Sequence, residues 1–276
     1  MQLVRFRAPD RTPRLGVEQA GQLSQLDGTL GALLALPLAE LRAALGRRTP
    51  AGESAGLLAP IDGQTEVWAA GVTYRRSEEA RVEESGTPDI YTKVYTAERP
   101  ELFFKANARR VAGPDEPIAV RADSTWDVPE PELAVVVNAR AEIVGYTIAN
   151  DVSSRSIEGE NPLYLPQAKV YAACCALGPG IAPAWEVADP YALTIQMRIR
   201  RQGQAHWSGE TSTAELKRRF EDLVGYLFRA DDFPEGAILS TGTALVPEAP
   251  FTLQPGDEVE INIDGLGTLR NPVVRR

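Results

Sequence analysis

The stretch that most constrains this chain is a pair of strand-like runs joined by a short polar connection. Leu133-Ala134-Val135-Val136-Val137 and Ile143-Val144-Gly145-Tyr146-Thr147-Ile148 are apolar and rich in β-branched residues, which favours extended chain. Asn138-Ala139-Arg140-Ala141-Glu142 separates them. An antiparallel hairpin with its turn centred between Arg140 and Ala141 places Asp151 directly opposite Glu130. Glu132 is two residues from Glu130 and shares its face of the strand. Three carboxylates then crowd one end of one sheet face. Like charges so close are costly unless protonated or bridged by a cation. An all-oxygen set suits a hard divalent ion with positions left for water or substrate. Three solvated strand-end acids are the alternative. A slip of one residue would separate the acids, so everything rests on register.

Of 276 residues, 43% are hydrophobic and 24% charged, enough to build a sizeable core. A net charge of −9 argues against nucleic acid or an anionic membrane as partner. No apolar run reaches membrane-spanning length. Cys174 and Cys175 are the only cysteines. Neighbours make a poor structural disulfide, so a reduced, cytoplasmic protein with two small core thiols is expected. The single histidine, His206, falls where an exposed hairpin tip is expected. The commonest general base is thereby removed from the candidates.

Residues 1–60 read as a small α+β domain with its linker, and residues 61–276 as a β-rich domain. The first holds strand-like pieces at 3–6 and 14–17, then an amphipathic helix over 30–45 with Thr29 as N-cap. Pro, Gly, Thr and Ala make 47–66 the linker. In the second, a charged helix over 74–85 and a Gly-Thr-Pro loop at 86–88 form a mobile cover for a cleft, with a solvated surface helix as the alternative. Leu216, Phe220, Leu223, Val224 and Leu227 predict another helix over 211–228. Short strands follow over 238–243, 258–264 and 267–274. Lys169 has apolar company in Leu165-Pro166-Gln167-Ala168-Lys169-Val170-Tyr171. A desolvated lysine can serve as a general base; a snorkelling surface lysine is the alternative. Ser153 follows Asp151 closely, and Ser240-Thr241-Gly242-Thr243 reads as a strand end whose hydroxyl and N–H groups hold a carboxylate.

In this order, Glu130–Val135, Gly145–Ser153, Lys169, Thr241–Thr243 and Pro255–Asn271 resemble the pattern of the fumarylacetoacetate hydrolase family over roughly residues 66–276. The resemblance implies a mixed β, α+β fold: a β-roll or sandwich catalytic domain behind a small N-terminal domain. It implies Mg²⁺ held by Glu130, Glu132 and Asp151, with Mn²⁺ or Ca²⁺ able to stand in, and a homodimer or homotetramer. The stretches 71–77, 99–105 and 157–169 are similar to one branch, the 2-keto-3-deoxy-D-arabinonate dehydratases. That branch implies Lys169 and Glu101 as the catalytic pair, and Tyr74, Ser77, Lys105, Ser153, Gln167 and Thr243 around a small 2-keto acid substrate. One departure stands out: Ser156 occupies a position where the family commonly carries Asp, which puts the support of the metal ligands in question.

Family hydrolases typically activate water with a lid histidine, and residues 74–99 contain none. The loss of such a base costs roughly 10²–10⁴-fold, whereas dehydration needs no external nucleophile. The expectation is therefore a metal-dependent hydro-lyase of pentose catabolism, converting 2-keto-3-deoxy-D-arabinonate to 2,5-dioxopentanoate and water. Lys169 would remove the C3 proton, and Glu101, kept protonated by Phe103, Phe104 and a dry pocket, would protonate the leaving C4 hydroxyl; these roles are interchangeable from sequence. An acylpyruvate hydrolase, an oxaloacetate decarboxylase and a non-catalytic metal-binding family member are the rival readings.

Overall fold

The computed structural model describes residues 1–84 and 88–276. Strands Pro131–Val137 and Ile143–Asp151 pair antiparallel as the hairpin requires, with Pro131 opposite Asn150 and Leu133 opposite Ile148. Ala141 closes the turn with a positive φ of 60°, and Asn138 accepts from the backbone N–H of Arg140 and Glu142. Pro131 is the first residue of its strand, where a missing N–H costs least.

Among the described residues this hairpin is the centre of a twelve-stranded sheet. On one side it pairs with Cys175–Pro183, which continues to Gln2–Arg7 and Pro13–Gln19. On the other, Ala237–Ser240 pairs with Pro131–Val137 and leads to Glu66–Gly71 and Glu101–Asn107. A five-stranded sheet built on Thr194–Arg201, Asp257–Ile263 and Gly267–Arg275 lies over one face. Leu133, Val135 and Val137 pack there with Met197, Ile261 and Phe220. Ala134 and Val136 point the other way, into a cluster with Leu30, Leu34, Leu41 and Ile181. Both faces of the strand are buried, which is why it reads as an unbroken apolar run. Glu130 and Glu132 continue the even-numbered face beyond that second cluster.

Several sequence expectations need correction. The 30–45 helix is two helices, α1 (Leu30–Leu34) and α2 (Leu38–Ala44). Pro37 has no N–H to continue the ladder, and Glu142 instead accepts from the Leu38 N–H. Thr29 does cap α1, accepting from Ala32. The 47–66 segment is not a free linker: Leu57–Leu58 pairs with Gln2–Arg7, and Arg5 donates to the carbonyls of Ala59 and Ile61. The charged stretch forms α3 (Arg75–Glu84), and α4 (Pro88–Thr96) follows; Gly86 and Thr87 of the expected loop lie outside the described residues. Helix α5 (Arg155–Glu160) and α6 (Leu165–Lys169) flank the site. The 211–228 helix shrinks to α7 (Phe220–Leu227), because 211–212 finish a strand and Leu216 bridges to Tyr74. His206 lies within strand Gln204–Ser212; the tip is Gln202-Gly203. Cys174 and Cys175 are free and buried. No helix among the described residues is long and apolar enough to cross a membrane.

Candidate active site

The hairpin register brings Glu130, Glu132 and Asp151 together: Asp151 donates its N–H to the Glu130 carbonyl at 2.9 Å. All three are buried, and one carboxylate oxygen from each falls within 4.8 Å of the others. Lys169 Nζ lies 2.8 Å from Glu130 Oε2 and 2.9 Å from Asp151 Oδ2. Lys105 Nζ pairs with Asp151 Oδ1 at 2.5 Å, and Arg155 with Glu130 Oε1 at 3.1 Å. Glu132 accepts from Ser240 Oγ at 2.5 Å and from the Gly242 N–H at 2.7 Å. Burial, then the charges of Asp151 and Glu130, push the Glu132 carboxyl up to about 8. With Glu101 and Glu158 alongside, five carboxylates face three cations. This excess of acids, in which Glu132 keeps its proton until a cation replaces it, and its hard oxygen donors fit a divalent ion.

The trio and Lys169 border a cavity of about 60 Å³. Strand Glu101–Asn107 contributes Glu101 and Phe103, α4 contributes Ile90, Tyr91 and Val94, and Ser77, Glu158, Leu165 and Thr243 complete the wall. Glu101 faces Gly71 across the sheet, and a Cβ at position 71 would collide with the Glu101 carboxylate. The glycine makes room for the acid. Phe104 points away and packs edge-on against Trp68 at 6.1 Å, so Phe103 alone desolvates this side.

Of the residues suggested by sequence, Glu130, Glu132, Asp151, Lys169, Glu101, Ser77 and Thr243 converge on the cavity. Four do not. Lys105 is fully buried behind Asp151, where it also donates to the carbonyls of Val152 and Lys169. Burial opposes its charge, but Asp151 outweighs that and holds the lysine above its usual range. Ser153 turns back to its own loop, donating to the Asp151 carbonyl. Tyr74 is buried beneath α3 with its backbone tied to Leu216, and Gln167 faces solvent. The carboxylate held by the Ser240–Gly242 turn is the protein's own Glu132, not a ligand's.

Arg155 and Glu158 escaped the sequence reading, and the Gly242 N–H, expected to hold a carboxylate, holds that of Glu132. Arg155 opens α5 as an arginine with a 3% exposed side chain, and only the register shows that it meets Glu130. Gly242 has φ +91°, and a Cβ would strike Thr73 Oγ1. Ser156 marks the family departure. Its Oγ lies 3.0 Å from Ser124 Oγ and accepts from the Thr125 N–H, so it braces the 124–126 loop while Arg155 supports the ligands.

Comparison with known proteins agrees with this geometry. The model of the fumarylacetoacetate (FAA) hydrolase C-terminal family matches residues 66–274. A probable 2-keto-3-deoxyxylonate dehydratase from Haloferax volcanii is 56% identical over 214 residues, covering 78% of this chain and 73% of the relative. The 2-dehydro-3-deoxy-D-arabinonate dehydratase of Saccharolobus solfataricus is 48% identical over 221 residues, 79% of this chain and 74% of the relative. A solved structure of 2-keto-3-deoxy-D-arabinonate dehydratase, complexed with magnesium and 2,5-dioxopentanoate, superposes with a TM-score of 0.85 at 37% identity, covering 100% of this chain and 99% of that one. From its hairpin register to its buried acid trio, the chain belongs to the fumarylacetoacetate hydrolase family.

Proposed function

We propose that this protein is a magnesium-dependent dehydratase converting 2-keto-3-deoxy-D-arabinonate to 2,5-dioxopentanoate and water. The observation that carries the reading is the pairing of the buried Glu130–Glu132–Asp151 cluster with Lys169 and Glu101 in one cavity. The relatives named above support it. Their arabinonate and xylonate names describe closely related acids: once C2 is a ketone and C3 a methylene, C4 is the only stereocentre.

Glu130, Glu132 and Asp151 would hold Mg²⁺. When bound, the ion supplies Lewis acidity toward a C2 ketone and takes up carboxylate charge that faces Lys169. Lys169, on the cavity floor 5.9 Å from the Phe103 ring centre, exchanges the C3 proton. Glu101, positioned opposite Gly71, protonates the departing C4 hydroxyl. A proton shift from the C5 carbinol then yields the aldehyde. Ser77 and Thr243 orient substrate oxygens, while Ile90, Tyr91, Val94 and Leu165 exclude water. Lys105 and Arg155 act through the ligands they hold. Two buried free thiols support a reducing cytoplasm, and the homodimer or homotetramer implied by the family resemblance belongs to the same reading.

Incubation with Mg²⁺ and 2-keto-3-deoxy-D-arabinonate should form 2,5-dioxopentanoate, and Lys169→Ala should abolish it. Carbon–carbon cleavage of acetylpyruvate or decarboxylation of oxaloacetate, without dehydration of the pentonate, would overturn this assignment.

A further inference from the structure

We infer that Glu158 is the catalytic residue of the second half of the reaction, the base that takes a proton from C5 after water has left. This rests on the dehydratase reading above and completes it. Elimination leaves a C3=C4 alkene conjugated with the C2 ketone, and the C5 carbinol must still become an aldehyde. Lys169 then carries the C3 proton, and Glu101 has given its own to the departing hydroxyl. Glu130, Glu132 and Asp151 are committed to the metal. Among the described residues of the cavity wall, Glu158 is the remaining carboxylate. The other polar side chains there, Ser77, Tyr91 and Thr243, bear hydroxyls, far weaker bases toward a carbon-bound proton.

Its placement suits the task. Glu158 is 5% exposed and belongs to α5, whereas Glu101 enters from the sheet. Two carboxylates thus reach one cavity from separate elements, one to leave hydrogen-bonded to the new water and the other to act on the next carbon. Arg155 ties α5 to the metal site: its Nη2 lies 3.1 Å from Glu130 Oε1 and its Nε 4.0 Å from Glu158 Oε2. Ser154 caps the helix by accepting from the Ile157 N–H, and the Arg155 N–H donates to the Trp126 carbonyl at 2.8 Å. The acid is held beside the ligands, as a base aimed at one carbon must be. Glu158 removes one C5 proton; the C5–H electron pair forms C4=C5, and the C3=C4 pair moves to C3, which takes back the proton held by Lys169. Glu158 then returns its proton to C4 as the C5 hydroxyl releases its own to water. The carbinol carbon is oxidised and the former alkene carbons are reduced within one molecule, so no outside oxidant enters.

The test gives the magnesium-loaded enzyme either the pentonate or the intermediate itself, 5-hydroxy-2-oxopent-3-enoate, and follows products by NMR. With the pentonate, Glu158→Gln should consume substrate within about fivefold of the wild-type rate but release the enone. Its formation of 2,5-dioxopentanoate should fall about 10²-fold or more, the range for a lost general base. With the enone, Glu101→Gln should form 2,5-dioxopentanoate within about tenfold of the wild type, and Glu158→Gln should not. Glu158→Asp, which keeps the charge beside Arg155, should restore part of the second step while still releasing enone, and carries the test if the glutamine variant fails to fold. Formation of 2,5-dioxopentanoate by both Glu158 variants at near the wild-type rate overturns this inference, as does an enone that Glu101→Gln alone leaves unconverted. Loss of pentonate consumption and enone conversion together in both Glu158 variants overturns it too, leaving Glu158 a support for α5. A wild type that leaves the pentonate unchanged would instead overturn the dehydratase reading.

Discussion

Gly71 and Glu101 show how much of this site depends on a missing side chain. The two face each other across paired strands, and any Cβ at position 71 would collide with the Glu101 carboxylate. That carboxylate ends a flexible side chain and can rotate away at little cost in stability. Gly71→Ala should therefore leave the melting temperature nearly unchanged and lower kcat roughly 10²-fold, the range for a displaced proton donor. An unchanged kcat would remove Glu101 from the mechanism. Glu132 offers a second test. Its carboxyl is pushed up to about 8, against about 4.3 in an unfolded chain. Between those values the folded, metal-free chain keeps a proton that the unfolded chain has released. Stability of the metal-free protein should thus fall as pH rises through that window and level off above 8. Mg²⁺ competes with the same proton, so its apparent affinity should rise from pH 6 to pH 8. Calorimetric titration at both values checks this, and Glu132→Gln should flatten the dependence. The acid trio was legible because strand periodicity and hairpin register fix where residues two apart must point. Arg155 was not, since a buried guanidinium carries no sequence period; the Gly242 stretch was legible as a carboxylate holder, but not that the carboxylate is Glu132.

At the scale of elements, three consecutive residues clasp the wall of the cavity. Leu216 bridges to Tyr74 ahead of α3, and the Lys217 N–H donates to the Thr73 carbonyl. Lys217 Nζ bonds the Tyr95 carbonyl, and Arg218 donates to the carbonyls of Val94, Ala97 and Glu98. Cations at a helix C-terminus also oppose its dipole. The clasp thereby fixes α4, which brings Ile90, Tyr91 and Val94 to the substrate. Arg218→Gln should speed amide exchange across 90–97 and raise KM about fivefold, with Mg²⁺ affinity unchanged; Arg218→Lys should recover part of the loss. Exchange rates equal to wild type would show that α4 is held by its apolar contacts alone. This clasp also explains the misread helix over 211–228. Its apolar spacing is genuine, but Leu216 spends its contacts on Tyr74 rather than on a helical turn. Pro37 broke the other overextended helix in the same way, through a local rule that periodicity outvoted.

Over the whole molecule, one fact outweighs the division into a short N-terminal part and a longer β-rich one. Leu30, Leu34 and Leu41 pack in the same cluster as Val136, Leu177 and Ile238, and strand Gln2–Arg7 hydrogen-bonds to Cys175–Pro183. The strand bearing Glu130 and Glu132 is thus covered on its even-numbered face by residues of the first 60. Sequence could not show this, because burial on both faces erases the alternation that would have marked which side meets which partner. The consequence is thermodynamic. Removing the N-terminal leucines would expose the back of the hairpin, so neither part should fold without the other. Unfolding in urea should be a single transition, with far-ultraviolet circular dichroism and tryptophan fluorescence coincident. Trp185, beneath Arg42 of α2, reports on the contact between the two parts, and Trp68 reports on the main sheet. Magnesium at about 100 times its dissociation constant should stabilise the protein by about 2.7 kcal/mol, and both probes should move by the same increment. Two separated transitions, with only the later one sensitive to Mg²⁺, would mean that the N-terminal segment is an independent domain and that the metal site stands without it.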